Sequence, residues 1–195
     1  MSANMVAVLY LISALLFIFA LRGLSHPESS RLGNIFGIIG MVIAIITTLM
    51  FKSVLSYFEI GAAIIVGGAI GTFIALRIEM TALPQLVAAF HSLVGIAAVF
   101  VAAAAFYDPV SFGIGDVGLI GTSSLIEMSI GTFIGAITFS GSVLAFGKLQ
   151  GTVSGKPIVF KFQHTINALI LLFITVLIVM FVMNQSPTIF WTIVF

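Results

Sequence analysis

The chain has 195 residues, of which 61% are hydrophobic and 7% charged, against roughly a quarter charged in an ordinary soluble domain. Seven Lys and Arg nearly balance six Asp and Glu, and cysteine is absent, which excludes a basic nucleic-acid surface, disulfides, thiolate metal sites and a nucleophilic thiol. With 19 Gly, 19 Phe and 8 Met and a mean hydropathy of +1.32, the solvent is lipid. The predicted fold class is all-α, a polytopic transmembrane helix bundle whose helices approach through small residues.

A crossing takes roughly 17–25 helical residues, and runs that satisfy this lie at about 5–21, 32–50, 60–76, 84–106, 125–147 and 166–183. A further run over 188–195 is too short to cross and reads as the start of another span, so that 1–195 forms a single transmembrane domain. The runs are continuous, without the alternation of a barrel strand. Met1-Ser-Ala-Asn carries no positive charge ahead of the first run, which therefore reads as a span and not as a cleaved leader.

Loop by loop, Arg22, Arg31, Arg77, Lys148, Lys156 and Lys161 fall on one side and only Lys52 on the other. The excess marks the cytoplasmic side, so the N-terminus is predicted outside, with the second and fourth loops. The outer stretch 107–118 is rich in turn residues and belongs at headgroup level. The inner loop from Lys148 to Gln163 reads either as a docking surface for a soluble partner or as a basic loop that fixes topology.

An ionisable or polar group inside a span is costly unless it faces protein or water. His91 is the ionisable side chain well inside a span, on the face Ala88, His91, Gly95, Ala98, Ala102, Ala105 of the fourth helix. This small face lets a neighbouring helix approach and would turn the imidazole into the seam. The fifth helix has a matching face, Gly131, Gly135, Thr138, Ser142, Ala145, with Ser142 at the depth of His91 if the helices run antiparallel. Imidazole gains and loses a proton near neutral pH, so His91, Ser142 and Thr138 are candidates for a proton pathway. For the two hydroxyls the alternative is ordinary packing with bonds to their own i−4 carbonyls.

Ser124 and Glu127 have the spacing of a capping box at the start of the fifth helix, with a proton relay near the outer mouth as the second reading of Glu127. His26 and His164 lie at the membrane edge as interface anchors, and Asn167 in the first turn of the sixth helix. Gly37-Ile-Ile-Gly40 and Gly67-Gly68-Ala-Ile-Gly71 lack the strand and the Lys-Ser/Thr or acidic partner of a nucleotide loop and read as packing faces. The pentapeptide Ile-Gly-Thr-Phe-Ile occurs at 70–74 and 130–134, which reads as coincidence in a narrow alphabet, with a duplicated helix as the alternative.

Four blocks, Gly23-Leu-Ser-His-Pro-Glu-Ser-Ser-Arg31, Val66-Gly-Gly-Ala-Ile-Gly71, 79–95 (with Phe90-His-Ser-Leu-Val-Gly95) and 131–148 (with Thr138-Phe-Ser-Gly-Ser-Val143), occur in order. Through them the chain closely resembles the membrane domain of the β subunit of proton-translocating NAD(P) transhydrogenase. The resemblance implies an enzyme that moves hydride between NADH and NADP⁺ while a proton crosses the membrane inward. It places the family's membrane histidine on His91, its serine on Ser142 and its helix-start glutamate on Glu127.

The family's β subunit continues through further helices, one with an asparagine implicated in the proton path, to a cytoplasmic NADP(H)-binding domain. The resemblance therefore implies that 1–195 binds no cofactor, NAD(H) and NADP(H) being held by soluble domains of the complex. It further implies as partners the α subunit's membrane helices and NAD(H) domain, the NADP(H) domain, the lipid bilayer of a bacterial-type inner membrane, and a second copy of the complex. Two other readings compete: a secondary ion or metabolite carrier, against which no span holds a coupling carboxylate, and a haem-bearing anchor, which needs two histidines at matched depth.

Overall fold

In the computed structural model, residues 2–50 and 56–195 are described; Lys52, the basic residue assigned to the outer side, lies outside the described residues. Seven helices follow in order: α1 (Ala3–Leu24), α2 (Ser30–Leu49), α3 (Tyr57–Arg77), α4 (Leu83–Tyr107), α5 (Thr122–Leu149), α6 (Gln163–Asn184) and α7 (Pro187–Val194). Among the described residues, six are long and apolar enough to cross a membrane. Five of the six predicted spans fall inside one of them and the second runs one residue past α2, to Met50; elsewhere the helices run one to three residues further because helix continues into the interface after hydropathy has fallen. Packing divides the chain into two compact units, Met1–Gly67 and Gly68–Phe195.

In the first unit α1 and α2 form a hairpin. Ser2 Oγ accepts from the Met5 N–H at 3.3 Å to open α1, and His26-Pro27 closes the turn because proline cannot extend the helix before it. A short 3₁₀ turn, Pro27–Ser29, leads into α2. The helices touch along glycines: a Cβ on Gly23 would stand 2.6 Å from Gly33 Cα. The buried Ser13 Oγ donates to Gly40 O at 2.7 Å. Gly40 is thus a packing position, as its motif suggested.

No residue of α3 is buried among the described residues, and Gly61, Gly67, Gly68 and Gly71 meet nothing within 4 Å. The α3 copy of the repeated pentapeptide is therefore unpacked, whereas Thr132 in the α5 copy is fully buried.

The second unit is built on α4 against α5, with α6 and α7 added at one end. The core there gathers Phe106, Phe181 and Phe190, the first and last stacked at 5.3 Å with 7° between their planes. Trp191 Nε1 donates to Tyr107 Oη at 3.0 Å. Between α4 and α5 the connecting loop is more ordered than its turn residues suggested. β1 (Gly115–Asp116) pairs antiparallel with β2 (Leu119–Ile120), and Gly118 at φ +80° makes the turn between them. The side-chain amide of Gln185, between α6 and α7, accepts from the Ile120 N–H at 3.1 Å and donates to the Ile120 carbonyl at 3.4 Å.

Candidate functional site in the seam between α4 and α5

The register of α4 on α5 is set at two points. Gln85 Nε2 donates to Leu149 O at 3.0 Å, and Gln150 Nε2 donates to Gln85 Oε1 at 2.9 Å. Ten residues further along α4, Gly95 lies against Gly135 and Phe139. The helices are antiparallel, so each step forward on α4 is a step back on α5, and the level of His91 and Ser92 is that of Ser142 and Val143. His91 lies eight residues beyond Leu83 and Ser142 seven before Leu149, about 12 Å and about 10 Å from those ends at ~1.5 Å per residue. The shared depth expected of these two residues follows from this register.

The buried line of α4 is turned slightly from the predicted one. It runs through Ser92, Gly95, Val99, Ala102 and Phe106, while Ala88 is half-buried and Ala98 exposed. His91 therefore stands beside the seam, with its side chain exposed, and Ser92 takes the buried place. On α5 the buried line is Leu125, Met128, Thr132, Gly135, Ser142; Gly131 and Thr138 are half-buried and Ala145 exposed. The face drawn from small-residue spacing is buried at Gly95, Ala102, Ala105, Gly135 and Ser142, half-buried at Ala88, Gly131 and Thr138, and exposed at His91, Ala98 and Ala145. The line is displaced because a larger side chain, Val99, also fills the seam, its Cγ2 standing 3.1 Å from where a Cβ on Gly135 would be, while Phe106 is buried against Phe181 and Phe190.

The hydroxyls divide into two groups. Ser129, Ser140, Thr175 and Thr192 donate to the carbonyls four residues back at 2.6–2.9 Å, and Ser92 to Ala89 O at 2.7 Å. Thr138 and Ser142 make no side-chain hydrogen bond among the described residues, so the back-bonding expected of ordinary packing hydroxyls is missing at both. The hydroxyl of Thr132, fully buried, meets no protein hydrogen-bond partner. An unsatisfied buried hydroxyl costs about 1–3 kcal/mol.

The capping-box reading of Glu127 is corrected. α5 begins at Thr122 after an extended Gly121, whose carbonyl accepts from the Leu125 N–H at 3.0 Å. This places Ser124 inside the first turn and Glu127 in the second, exposed and without a capping bond. The hairpin delivers the chain to the helix earlier than the Ser-x-x-Glu spacing assumed. His26 precedes the 3₁₀ turn and His164 is the second residue of α6, both exposed at helix ends; Asn167 is the fifth residue of α6, one turn deeper than expected. It lies at the rim of a cleft of about 890 Å³ among α4, α5, α6 and α7, lined mostly by apolar side chains with Ser140. Gly37 to Gly40 and Gly67 to Gly71 lie within α2 and α3, with no strand leading in among the described residues.

The family model described as NAD(P) transhydrogenase beta subunit matches residues 6–195. The chain belongs to the NAD(P) transhydrogenase beta subunit family. Two curated relatives, both NAD(P) transhydrogenase subunit beta of Rhodospirillum rubrum, one of the species and one of a defined strain, are each 58% identical to it over 164 residues. The match covers 84% of this chain and 35% of each relative, so the chain spans about a third of their length. With six helices able to cross a bilayer, this beta-subunit chain is a multi-pass membrane protein.

Two residues of the beta-subunit seam escaped the sequence reading. Ser92 follows the conspicuous His91 and was masked by it. Thr132 lies beside Gly131 in the repeated pentapeptide, and the signal that singles it out, burial without a partner, exists only once α5 is packed.

Proposed function

We propose that this chain forms the part of a transhydrogenase membrane domain through which protons move, with His91 as the group that takes up and releases the proton and Ser142, Thr138 and Glu127 along its route. The observation that carries this reading is the α4–α5 register. It sets an exposed imidazole at the level of Ser142, a buried residue whose hydroxyl makes no bond to its own helix among the described residues. A proton reaching His91 changes the charge beside the seam, and a two-state helix arrangement biased by that charge can pass the difference to the domains that bind nucleotide. NAD(H) and NADP(H) are held, in this reading, by soluble domains of the complex and not by 1–195.

The same proposal takes 1–195 as one membrane domain in a bacterial-type inner membrane, its N-terminus outside. It takes as partners the α subunit and the NADP(H)-binding domain, in a dimer of the complex. Within the second unit, Gln85 and Leu149 bring together the helix ends that carry Lys148 and follow Arg77, while the opposite end, 107–124 and 184–187, has no Lys or Arg. This asymmetry supports the inside assignment of the first of those ends.

The test is His91→Asn in the complete enzyme. Asparagine keeps most of the volume and some hydrogen bonding but cannot titrate. Proton pumping and proton-linked hydride transfer should fall together by about tenfold or more, with assembly intact and hydride exchange that needs no net proton movement better preserved. Pumping at the native rate by assembled His91→Asn enzyme overturns the assignment.

A further inference from the structure

The cleft among α4, α5, α6 and α7 does not end at Ser140. Phe139 and Ser140 also line a second hollow, which follows α5 through Val143 and Gly147 to Thr152 and Val153. Sharing those two residues, the hollows form one trough along α5 from Phe133 to Gly147. That stretch of helix is about 21 Å long at ~1.5 Å per residue, more than the roughly 15 Å of hydrocarbon in one leaflet. The walls are mostly aliphatic and aromatic, and the Ser140 hydroxyl is spent as a donor on Ala136 O at 2.9 Å. Such a surface suits a hydrocarbon chain and offers little to a polar ligand.

The two ends of the trough differ in charge. One reaches Gly147, in the turn where Thr152 Oγ1 donates to Gly147 O at 2.9 Å and Lys148 Nζ donates to Lys156 O at 3.0 Å. The segment from there to α6 carries Lys148, Lys156 and Lys161, and no Asp or Glu occurs anywhere in 128–195. An ammonium has three donors, so Lys148 keeps two for an anion. The other end, at Trp191 and Val194, belongs to a stretch, 162–195, without Lys or Arg. Asn167 lines the trough about 6 Å in from the start of α6, which sets an amide at the depth of the ester carbonyls of a lipid whose phosphate meets the lysines.

We propose that this trough binds an anionic phospholipid, one acyl chain lying along α5 past Ser140 and the phosphate held at Lys148 and Lys156. The apolar wall accepts the chain of any lipid. Selection comes from the lysines, each worth roughly fivefold toward an anionic headgroup, with no carboxylate on the segment to oppose them. The inference requires the chain to lie in a bilayer and does not rest on the proton-coupling reading.

The experiment uses the complete enzyme in phosphatidylcholine vesicles containing a trace of either phosphatidylglycerol or phosphatidylcholine with a photoreactive group at the end of one acyl chain. After illumination, the labelled peptides are identified by mass spectrometry. Expected is labelling of 133–140 and 170–174 by the phosphatidylglycerol probe, about tenfold above that by the phosphatidylcholine probe. Lys148→Gln with Lys156→Gln should bring the first down to the second, whereas Lys148→Arg with Lys156→Arg should keep the native preference. Ala136→Trp, which fills the cleft, should abolish labelling there by both probes; if it fails to assemble, Ser140→Phe takes its place under the same criteria. Equal labelling by the two probes in the native enzyme overturns the proposal, as does a preference that survives the glutamine substitutions. Absence of label from both peptides also overturns it, since another part of the complex would then fill the trough.

Discussion

Gly95 and Gly135 meet backbone against backbone. A Cβ on Gly95 would stand 2.8 Å from Gly135 O and 2.5 Å from Phe139 N, and one on Gly135 would stand 2.7 Å from Gly95 O. None of these neighbours is a flexible side chain, so any methyl must push the helices apart. This contact sets the register that brings His91 level with Ser142. Gly95→Ala is expected to destabilise the α4–α5 pair by about 1–3 kcal/mol, the usual cost of overpacking. It should also reduce proton-linked activity more than Gly131→Ala, whose added Cβ meets nothing within 4 Å. Detergent unfolding midpoints and pumping rates of the two variants check it; equal effects would show that the contact is not special.

Gln185 holds a left-handed backbone at φ +48°, a conformation that costs a non-glycine residue roughly 1–2 kcal/mol. Its side chain offsets that cost by pairing with both polar backbone atoms of Ile120, itself buried. Gln185→Ala keeps the backbone strain and loses both bonds, so a loss of about 1–3 kcal/mol is expected, with faster proteolysis in the hairpin 115–120. Gln185→Glu loses only the donor and should fall between alanine and native. Unchanged proteolysis in Gln185→Ala would refute the link between the amide and the hairpin.

What the sequence made legible follows from how strongly each signal is written. Spans of about twenty apolar residues leave little ambiguity in lipid, and each coincides with a helix to within three residues at either end. The faces of α4 and α5 were legible only to within about 100°, the angle of one residue, because small side chains surround the seam as well as line it. Hence Gly95 and Gly135 were found, whereas His91 was turned inward and Ser92 passed over. The hairpin was illegible because strands of two residues have no periodicity to read, and once it was missed the start of α5 was drawn at the wrong serine.

Glu127 is exposed, lies in the second turn of α5 and makes no capping bond among the described residues. Glu127→Gln should therefore leave the unfolding midpoint of the complete enzyme unchanged within about 0.5 kcal/mol. If the residue serves a proton near the outer mouth, pumping should fall severalfold in the same protein. A loss of stability would reinstate a structural role, and unchanged pumping would remove Glu127 from the route.

Six Lys and Arg on one set of loops predict that the turn after α1, the turn after α3 and the segment 150–162 lie inside. This chain has no cysteine, so single cysteines at Ser2, Ser29, Ser111 and Ser154 report sidedness without background from it. Ser111 sits in the loop that leads into the hairpin, where its Oγ donates to Asp108 Oδ2, and Ser154 in the segment between α5 and α6. An impermeant maleimide added to intact cells should label Ser2→Cys and Ser111→Cys and spare Ser29→Cys and Ser154→Cys until the membrane is opened. The reverse pattern would invert the topology, moving Glu127 to the cytoplasmic half of the seam and Ser142 and His91 to the outer half. The proton route would then have to be read in the opposite direction. Labelling of Ser111→Cys and Ser154→Cys from the same side would contradict α5 as a crossing helix.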